Sequence, residues 1–247
     1  MRVSIFLLAI AGLLPAPPET SASSVPRRKD APELESLSAR VREIAFNPNT
    51  FFKQETLLEP LISITYTGDD WGWPVYAIAL HEGCVRPEPV GPRCWYRRTA
   101  RMMRVHGLAS HERPRTAGRL LIDRIDAKAP RTDEEIKTVL DGSELDWLQA
   151  DLNACPRAAA LISKTKNMDW VGSEIHSPVR GGPITYAVHA DDTMIHLRSS
   201  IQQVSMFSGL PRGNNPAAWA KKFYQALQPC LKPASAPWPW RQKSDEE

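Results

Sequence analysis

The sequence predicts an α+β fold in which an antiparallel sheet, made of a meander plus a hairpin, packs against several helices and is stapled by disulfides. Segments rich in β-branched and aromatic residues, such as 61–67, are typical of strands. Other segments repeat apolar residues every three or four positions, as amphipathic helices do. All four cysteines lie beyond a predicted export signal, and an even count on an exported chain favours two disulfides.

The N-terminus has the organisation of a secretory signal peptide. Arg2 precedes an apolar run from Val3 to Leu14 that is too short to span a bilayer, and small residues then offer a cleavage site after Ala22. Residues 1–22 are therefore the expected signal peptide, and residues 23–30 the expected flexible leader. The signal peptide predicts an exported protein, periplasmic or secreted. No later apolar segment has the length of a membrane span, so we expect no transmembrane segment in the mature chain.

Residues 31–107 are predicted to form an N-terminal helix followed by antiparallel strands. Pro32 suits a first helical turn, and apolar residues then recur with helical spacing to about Phe46. The segment 61–67 predicts a strand with alternating faces. The segment 75–82 is nearly apolar throughout, which is typical of a strand that is covered on both faces.

The segment 94–107 (CWYRRTARMMRVHG) fits either a helix or a third strand. A strand at its start is favoured, because a disulfide across the neck of a hairpin would then be explained. The choice decides where four arginines lie: a helix would place them along one face, whereas a strand would divide them between the two faces of a sheet. These arginines are Arg97, Arg98, Arg101 and Arg104.

Residues 116–230 are predicted to contain a helical segment, a hairpin and a C-terminal helix, within the same domain as the preceding part or as a second lobe divided from it near 108–116. Thr132–Glu135 has the pattern of a capping box, in which the two side chains bond the free amides of a helix start. Ser143–Asp146 suggests a second helix start, and Cys155-Pro156 a third. An earlier helix, before the capping box, is predicted from an apolar stripe of Ala117, Leu120, Leu121 and Ile125.

A β-hairpin is predicted from two strand-like segments, 184–188 and 193–199, around a turn at Asp191-Asp192. His189 and His196 would lie on its two arms, where cross-strand packing is their commonest role and a shared metal or proton the alternative. A last helix begins at Pro216 and ends near Cys230. The tail, residues 231–247, is rich in proline and then in charge, so we expect it to be mobile.

Four cysteines allow three disulfide pairings. The small, Pro-rich ring favours Cys84 with Cys94. Cys155 with Cys230 would clamp the start of one helix beside the end of the last. A zinc site made of His81, Cys84 and Cys94 lacks a fourth nearby ligand, and an oxidising compartment disfavours thiolates. We therefore expect no metal and no cofactor.

Arginines are concentrated between residues 86 and 124. This segment contains ten arginines, three acidic residues and no lysine. The planar fork of arginine suits carboxylates and phosphates. For an exported protein the expected partners are an anionic envelope polymer, a lipid headgroup or an acidic protein surface, and no nucleic acid. The alternative is a solvated face on which arginine stems cover apolar surface.

Catalytic motifs are missing: the chain has no G-x-S-x-G, P-loop, G-x-G-x-x-G or H-E-x-x-H sequence. Asp69 and Asp70, beside Trp71, and His81 are the weak catalytic candidates that remain. Adjacent carboxylates point to opposite sides of an extended chain, and a tight turn is the commoner structure for such a segment.

The leading functional hypothesis is a non-enzymatic binding or interaction domain of the cell envelope or exterior. The alternative is an envelope-directed hydrolase with its site near Asp69, Asp70, Trp71 and His81. A third hypothesis is a structural or inhibitor-like module that engages another protein through surface loops, among them residues 85–93.

Overall fold

An antiparallel sheet forms the centre of the structure, a computed structural model that describes residues 31–53, 60–68, 72–85, 95–107, 114–140, 144–165, 192–198, 203–208 and 216–241. Within these ranges the strands are β1 (Ile62–Gly68), β2 (Trp73–Val85), β3 (Trp95–Val105), β4 (Leu145–Asp151), β5 (Asp192–Arg198), β6 (Gln203–Ser208) and β7 (Lys232–Pro233). The helices are α1 (Ala31–Ala45), α2 (Pro114–Asp126), α3 (Asp133–Leu140), α4 (Pro156–Thr165) and α5 (Pro216–Leu227).

The strand order is β6-β5-β1-β2-β3-β4-β7, and every neighbouring pair is antiparallel. Strands β1 to β4 form the meander and β5 with β6 forms the hairpin, so the predicted α+β architecture is confirmed. The sheet combines strands from both 31–107 and 116–230.

Helices cover both faces of the sheet. We call the side that carries Ala77, Ala79 and Met103 the first face; α1, α2 and α3 pack against it. The opposite side, which carries Ile78 and Met102, is the second face; α4 and α5 pack against it. Because β2 lies between both helical layers, its residues 73–80 are all buried, as the apolar sequence there predicts.

The start of α3 has the predicted capping box. The Glu135 amide donates to Thr132 Oγ1 (3.2 Å), and the Thr132 amide donates to Glu135 Oε2 (3.1 Å). Hydrogen bonds from the backbone amides of Arg131 and Thr132 lower the pKa of the Glu135 carboxyl, because they stabilise its charged form. Local sequence therefore determines this helix end.

The predicted helix start at Ser143–Asp146 is wrong, because strand β4 begins at Leu145. Leu145 and Trp147 are buried in the first-face core, and β4 pairs with β3 along its whole length. Burial of alternate β4 side chains against the two helical layers favours a strand. This effect outweighs the Ser-x-x-Asp pattern of a helix start, because the capping hydrogen bonds are weak by comparison. The apolar stripe of α2 is also shifted: Ile122 is buried, whereas Leu120 is 56% exposed.

The hairpin has a different second arm from the predicted one. Strand β5 confirms the segment 193–199, but β1 and β6 occupy its two sides. Its hairpin partner is therefore 203–208. The proposed arm 184–188 lies outside the described residues.

Residues 231–241, expected to be mobile, instead pack against the sheet. The two residues of β7 pair with β4, Trp147 Nε1 donates to the Ala236 carbonyl (2.9 Å), and the Ala234 amide donates to the Trp147 carbonyl (3.0 Å). Apolar contacts of Trp238 and Trp240 with the first-face core complete the docking. Residues 242–247 lie outside the described part.

The disulfide between Cys155 and Cys230 is confirmed, with their Cα atoms 5.9 Å apart. Cys155 is the residue before α4, and Cys230 lies two residues before β7. The pairing of Cys84 with Cys94 falls outside the described side chains and stays a prediction. Among the described helices, none is long and apolar enough for a transmembrane segment.

Candidate anion-binding cleft

Segment 95–105 is a strand throughout, which divides the four candidate arginines between two faces. The register pairs Ala79 with Arg101 and Ile78 with Met102, so Arg101 belongs to the first face. Because side chains alternate along a strand, Arg97 shares that face. Arg98 and Arg104 belong to the second, and a single surface of all four arginines is therefore not formed.

The two second-face arginines are engaged in ion pairs. Arg104 Nε lies 2.8 Å from Asp146 Oδ2, and Arg104 Nη1 donates to Gln228 Oε1 (2.8 Å). Arg98 Nε lies 3.3 Å from Glu82 Oε1. These contacts join β3 to β2, to β4 and to the end of α5, so both arginines have a structural role.

Arg101 is almost completely buried on the first face, with 5% of its surface exposed. Its Nη1 donates to the Phe51 carbonyl (2.7 Å), and its guanidinium lies 4.4 Å from the centroid of the Phe52 ring. The ring's negative face attracts the cation, and the carbonyl fixes its orientation. A permanent positive charge is thus held rigidly below the surface.

Arg97 and Arg101 line a cavity of about 480 Å³ beside β3 and β4. Lys232 of β7 contributes a third positive charge, and Asp151 is the carboxylate among the residues that line it. We call this cavity the arginine cleft. Neutral hydrogen-bonding side chains complete its polar lining: Thr99, Gln149 and Ser235.

The sheet register explains why three separate parts of the chain meet in the arginine cleft. Arg101 pairs with Gln149, and Gln149 pairs with Lys232, so the three lie in one row across neighbouring strands. Adjacent strands are about 4.8 Å apart, which places the backbones of Arg101 and Lys232 roughly 10 Å from each other. Both residues line the same cavity.

Among the described side chains that line the arginine cleft, three are cationic and one is a carboxylate. Arg97 Nε and Nη2 each lie 3.0 Å from Asp151 Oδ2, so these two side chains form an ion pair at the edge of the cleft. The cleft can therefore attract an anion and bond it through charged and neutral donors.

The Cys155–Cys230 disulfide forms part of the cleft wall, since Cys230 is among the residues that line it. Strand β7 contributes only two residues to the sheet, Lys232 and Pro233, at the edge of β4. The covalent link two residues before Lys232 therefore limits how far this cation can move.

The weak catalytic candidates are not brought together in the described part of the chain. His81 lies on the first face, its ring centroid 5.2 Å from that of Phe52, and it lines neither the arginine cleft nor the cavity beside α1. Asp69, Asp70 and Trp71 fall outside the described residues. His196 is opposite Ser63 of β1, and its proposed partner His189 also falls outside.

Metal ligands do not cluster in the described ranges: no group of three or more His, Cys, Asp or Glu side chains is placed to hold an ion there. Sequence reasoning missed Gln149, Lys232 and Ser235. Lys232 and Ser235 were assigned to a mobile tail, and their place in the cleft depends on the pairing of β7 with β4. No local pattern could have indicated it.

Comparisons of the chain with protein-family models, with curated proteins and with solved structures found no match.

Proposed function

We propose that this protein is a non-enzymatic, exported binding domain that holds an anionic group of its partner in the arginine cleft. The observation that carries this proposal is the convergence of Arg97, Arg101 and Lys232 on one concave site. Export is proposed from residues 1–22, and the Cys155–Cys230 disulfide supports it because such bonds persist in oxidising compartments.

The cleft suits a carboxylate, phosphate or sulfate group. Its volume falls at the lower end of the range of small-molecule sites, about 300–1,000 Å³, so it accommodates one charged group rather than a long polymer segment. An anionic envelope polymer, a lipid headgroup or an acidic protein surface each presents such groups. The binding chemistry is common to all three.

The hydrolase alternative has no support from the described residues. His81 contacts Phe52 and lines neither the arginine cleft nor the cavity beside α1, and the site proposed near Asp69 and Asp70 needs residues that are not described. Binding is therefore preferred over hydrolysis.

A direct test compares Arg97→Ala with Arg98→Ala. The two arginines are neighbours in β3 and each is paired with a carboxylate of an adjacent strand, but only Arg97 lines the cleft. Binding to polyphosphate, to phosphatidylglycerol vesicles and to polyglutamate is measured by titration at low and at physiological salt. We expect at least one probe to bind, more weakly at the higher salt, because salt screens exposed charges.

Arg97→Ala and Lys232→Ala are each expected to weaken that binding about tenfold, since a hydrogen bond to a charged group contributes about 1.5–3 kcal/mol. Arg98→Ala should leave it unchanged. The probe that binds identifies the source of the anion. Absence of binding to all three probes, or equal losses for Arg97→Ala and Arg98→Ala, would contradict the proposal.

A further inference from the structure

A second cavity, of about 600 Å³, lies on the same face of the sheet as the arginine cleft. Helix α1 forms one wall of it, and strands β1 and β5 form its floor. We call it the α1 groove. The side chains on which its chemistry depends are Glu35, Arg42 and Glu43 of α1 and Ser63, Thr65 and Met194 of the floor.

The groove and the cleft lie at the two ends of one transverse row of the sheet. In this row Ser63 pairs with Ala79, and Ala79 pairs with Arg101. Ser63 and Arg101 are thus two strand spacings apart, roughly 10 Å, with the fully buried Ala79 between them. The two cavities are neighbouring but separate sites.

The charges of the groove are dispersed rather than convergent. Glu35 and Glu43 are eight residues apart on α1, which corresponds to about 12 Å along the helix axis. Two carboxylates at that separation do not share one cation. Arg42 contributes a positive charge next to Glu43, with its guanidinium against Gly72. The two glutamates would repel a polyanion, and Arg42 would repel a polycation. Neither class of charged ligand is therefore favoured.

The remaining lining combines neutral polar groups with apolar side chains. Thr65 presents a hydroxyl group from the floor, where Ser63 is only 4% exposed, and Asn49 presents an amide at the end of the wall. Met194, next to Thr65 in the register, is 37% exposed and offers an apolar surface within the groove. Hydroxyls, amides and separated carboxylates beside an apolar patch match a ligand that has many hydroxyl groups and an apolar ring face.

We infer that the α1 groove binds a neutral oligosaccharide. Sugar hydroxyls donate to the carboxylates of Glu35 and Glu43 and accept from Arg42, and the C–H face of a sugar ring packs on Met194. The extended spacing of these groups along α1 suits several linked sugar units better than a single one. This inference is independent of anion binding in the arginine cleft, because the two cavities share no lining side chain.

The test measures binding of chitotriose, maltotriose and cellotriose to the oxidised protein by calorimetry, with Glu35→Ala and Thr65→Val as groove variants. Thr65→Val keeps the shape of the side chain and removes its hydroxyl. The matched control is Glu33→Ala, an exposed glutamate of the same helix that does not line the groove. Thermal unfolding of each variant verifies that it is folded.

We expect at least one trisaccharide to bind, Glu35→Ala to weaken it about tenfold and Thr65→Val about fivefold, while Glu33→Ala has no effect. Arg97→Ala should leave saccharide binding unchanged. The inference is overturned if none of the three trisaccharides binds, or if the groove variants bind as tightly as the Glu33→Ala control. Neither result affects the polyanion measurement at the arginine cleft, so the two proposals fail separately.

Discussion

At the scale of single residues, a stack of tyrosines shows how burial changes side-chain chemistry. The Tyr76 ring lies between Tyr66, at 5.1 Å between centroids, and Tyr224, at 4.5 Å. Burial raises the pKa of Tyr76, and the neighbouring tyrosines raise it further. Burial also raises the pKa of Tyr224. Ionisation of these hydroxyls would place negative charge in the second-face core, which disfavours it.

We predict that stability falls above about pH 10 and that Tyr76→Phe reduces this fall. In the unfolded chain tyrosine loses its proton near pH 10, whereas folded Tyr76 retains it, so the stabilising contribution is complete below that pH and is lost as pH rises. Each pH unit in this range costs up to about 1.4 kcal/mol. The measurement is the unfolding temperature between pH 7 and pH 11.

Tyr96→Phe is the control for this experiment, because Tyr96 is 65% exposed. Its alkaline profile should match that of the parent protein. If Tyr76→Phe also matches the parent, the buried tyrosine does not determine alkaline stability.

The candidate arginines illustrate the limit of residue-level prediction. Their identity and number are visible in the sequence, but their environments are not. Arg101 is buried against Phe51 and Phe52, whereas Arg104 is bonded to Asp146 and Gln228 on the opposite face. Contacts between residues far apart in the chain decide these roles.

At the scale of elements, the approach of α2 to β2 depends on a missing side chain. A Cβ atom at Gly118 would lie 2.7 Å from the Pro74 carbonyl oxygen and 2.9 Å from Trp73 Cβ. Neither atom can rotate away, because one is backbone and the other is fixed to it. The glycine lets the helix lie directly on the sheet.

We predict that Gly118→Ala destabilises the protein, although alanine is favoured over glycine in a helix by about 1 kcal/mol. Overpacking against rigid atoms costs about 1–3 kcal/mol, which outweighs this gain. The unfolding temperature should fall by a few degrees, since 1 kcal/mol corresponds to about 2–4 °C in a domain of this size.

Arg119→Ala, at the next and exposed position of α2, is the matched control and should change stability by less than about 0.5 kcal/mol. An unfolding temperature of Gly118→Ala equal to or above that of the parent would show that α2 moves away from the sheet at little cost.

Elements with a strong internal pattern were predicted correctly, and elements defined by their neighbours were not. Helices α1, α3 and α5 have apolar stripes and end signals within their own sequence. Strand β4 has a misleading helix-start signal, and the two residues of β7 are too short for any pattern. Pairing with β3 makes β4 a strand, and pairing with β4 makes β7 a strand.

At the scale of the whole molecule, the Cys155–Cys230 disulfide joins distant parts of the chain across the helical layer of the second face. The two cysteines are 75 residues apart in sequence. Closing so long a loop in the unfolded chain removes much of its conformational entropy, so the bond stabilises the fold chiefly by its effect on the unfolded state.

We predict that the double variant Cys155→Ser, Cys230→Ser loses about 2–4.5 kcal/mol of unfolding free energy, the upper value being the chain-entropy estimate for this loop. Urea denaturation measures the loss as a lower midpoint. Replacement of Cys84 and Cys94 by serine should cost less, about 3 kcal/mol at most, because the predicted ring is shorter. Equal midpoints for the parent and the Cys155/Cys230 variant would refute the prediction.

The sequence by itself determined the α+β class, the covered strand β2 and most helix ends, because local periodicity and end signals contain that information. It favoured the Cys155–Cys230 pairing among three possible ones, and the structure decided it. The tertiary structure alone decided that β4 and β7 are strands, that 203–208 is the partner of β5, and that Arg97 and Arg101 meet Lys232 in one cleft. These features depend on hydrogen bonds between strands that are distant along the chain, and no window of sequence records which edge a strand will join.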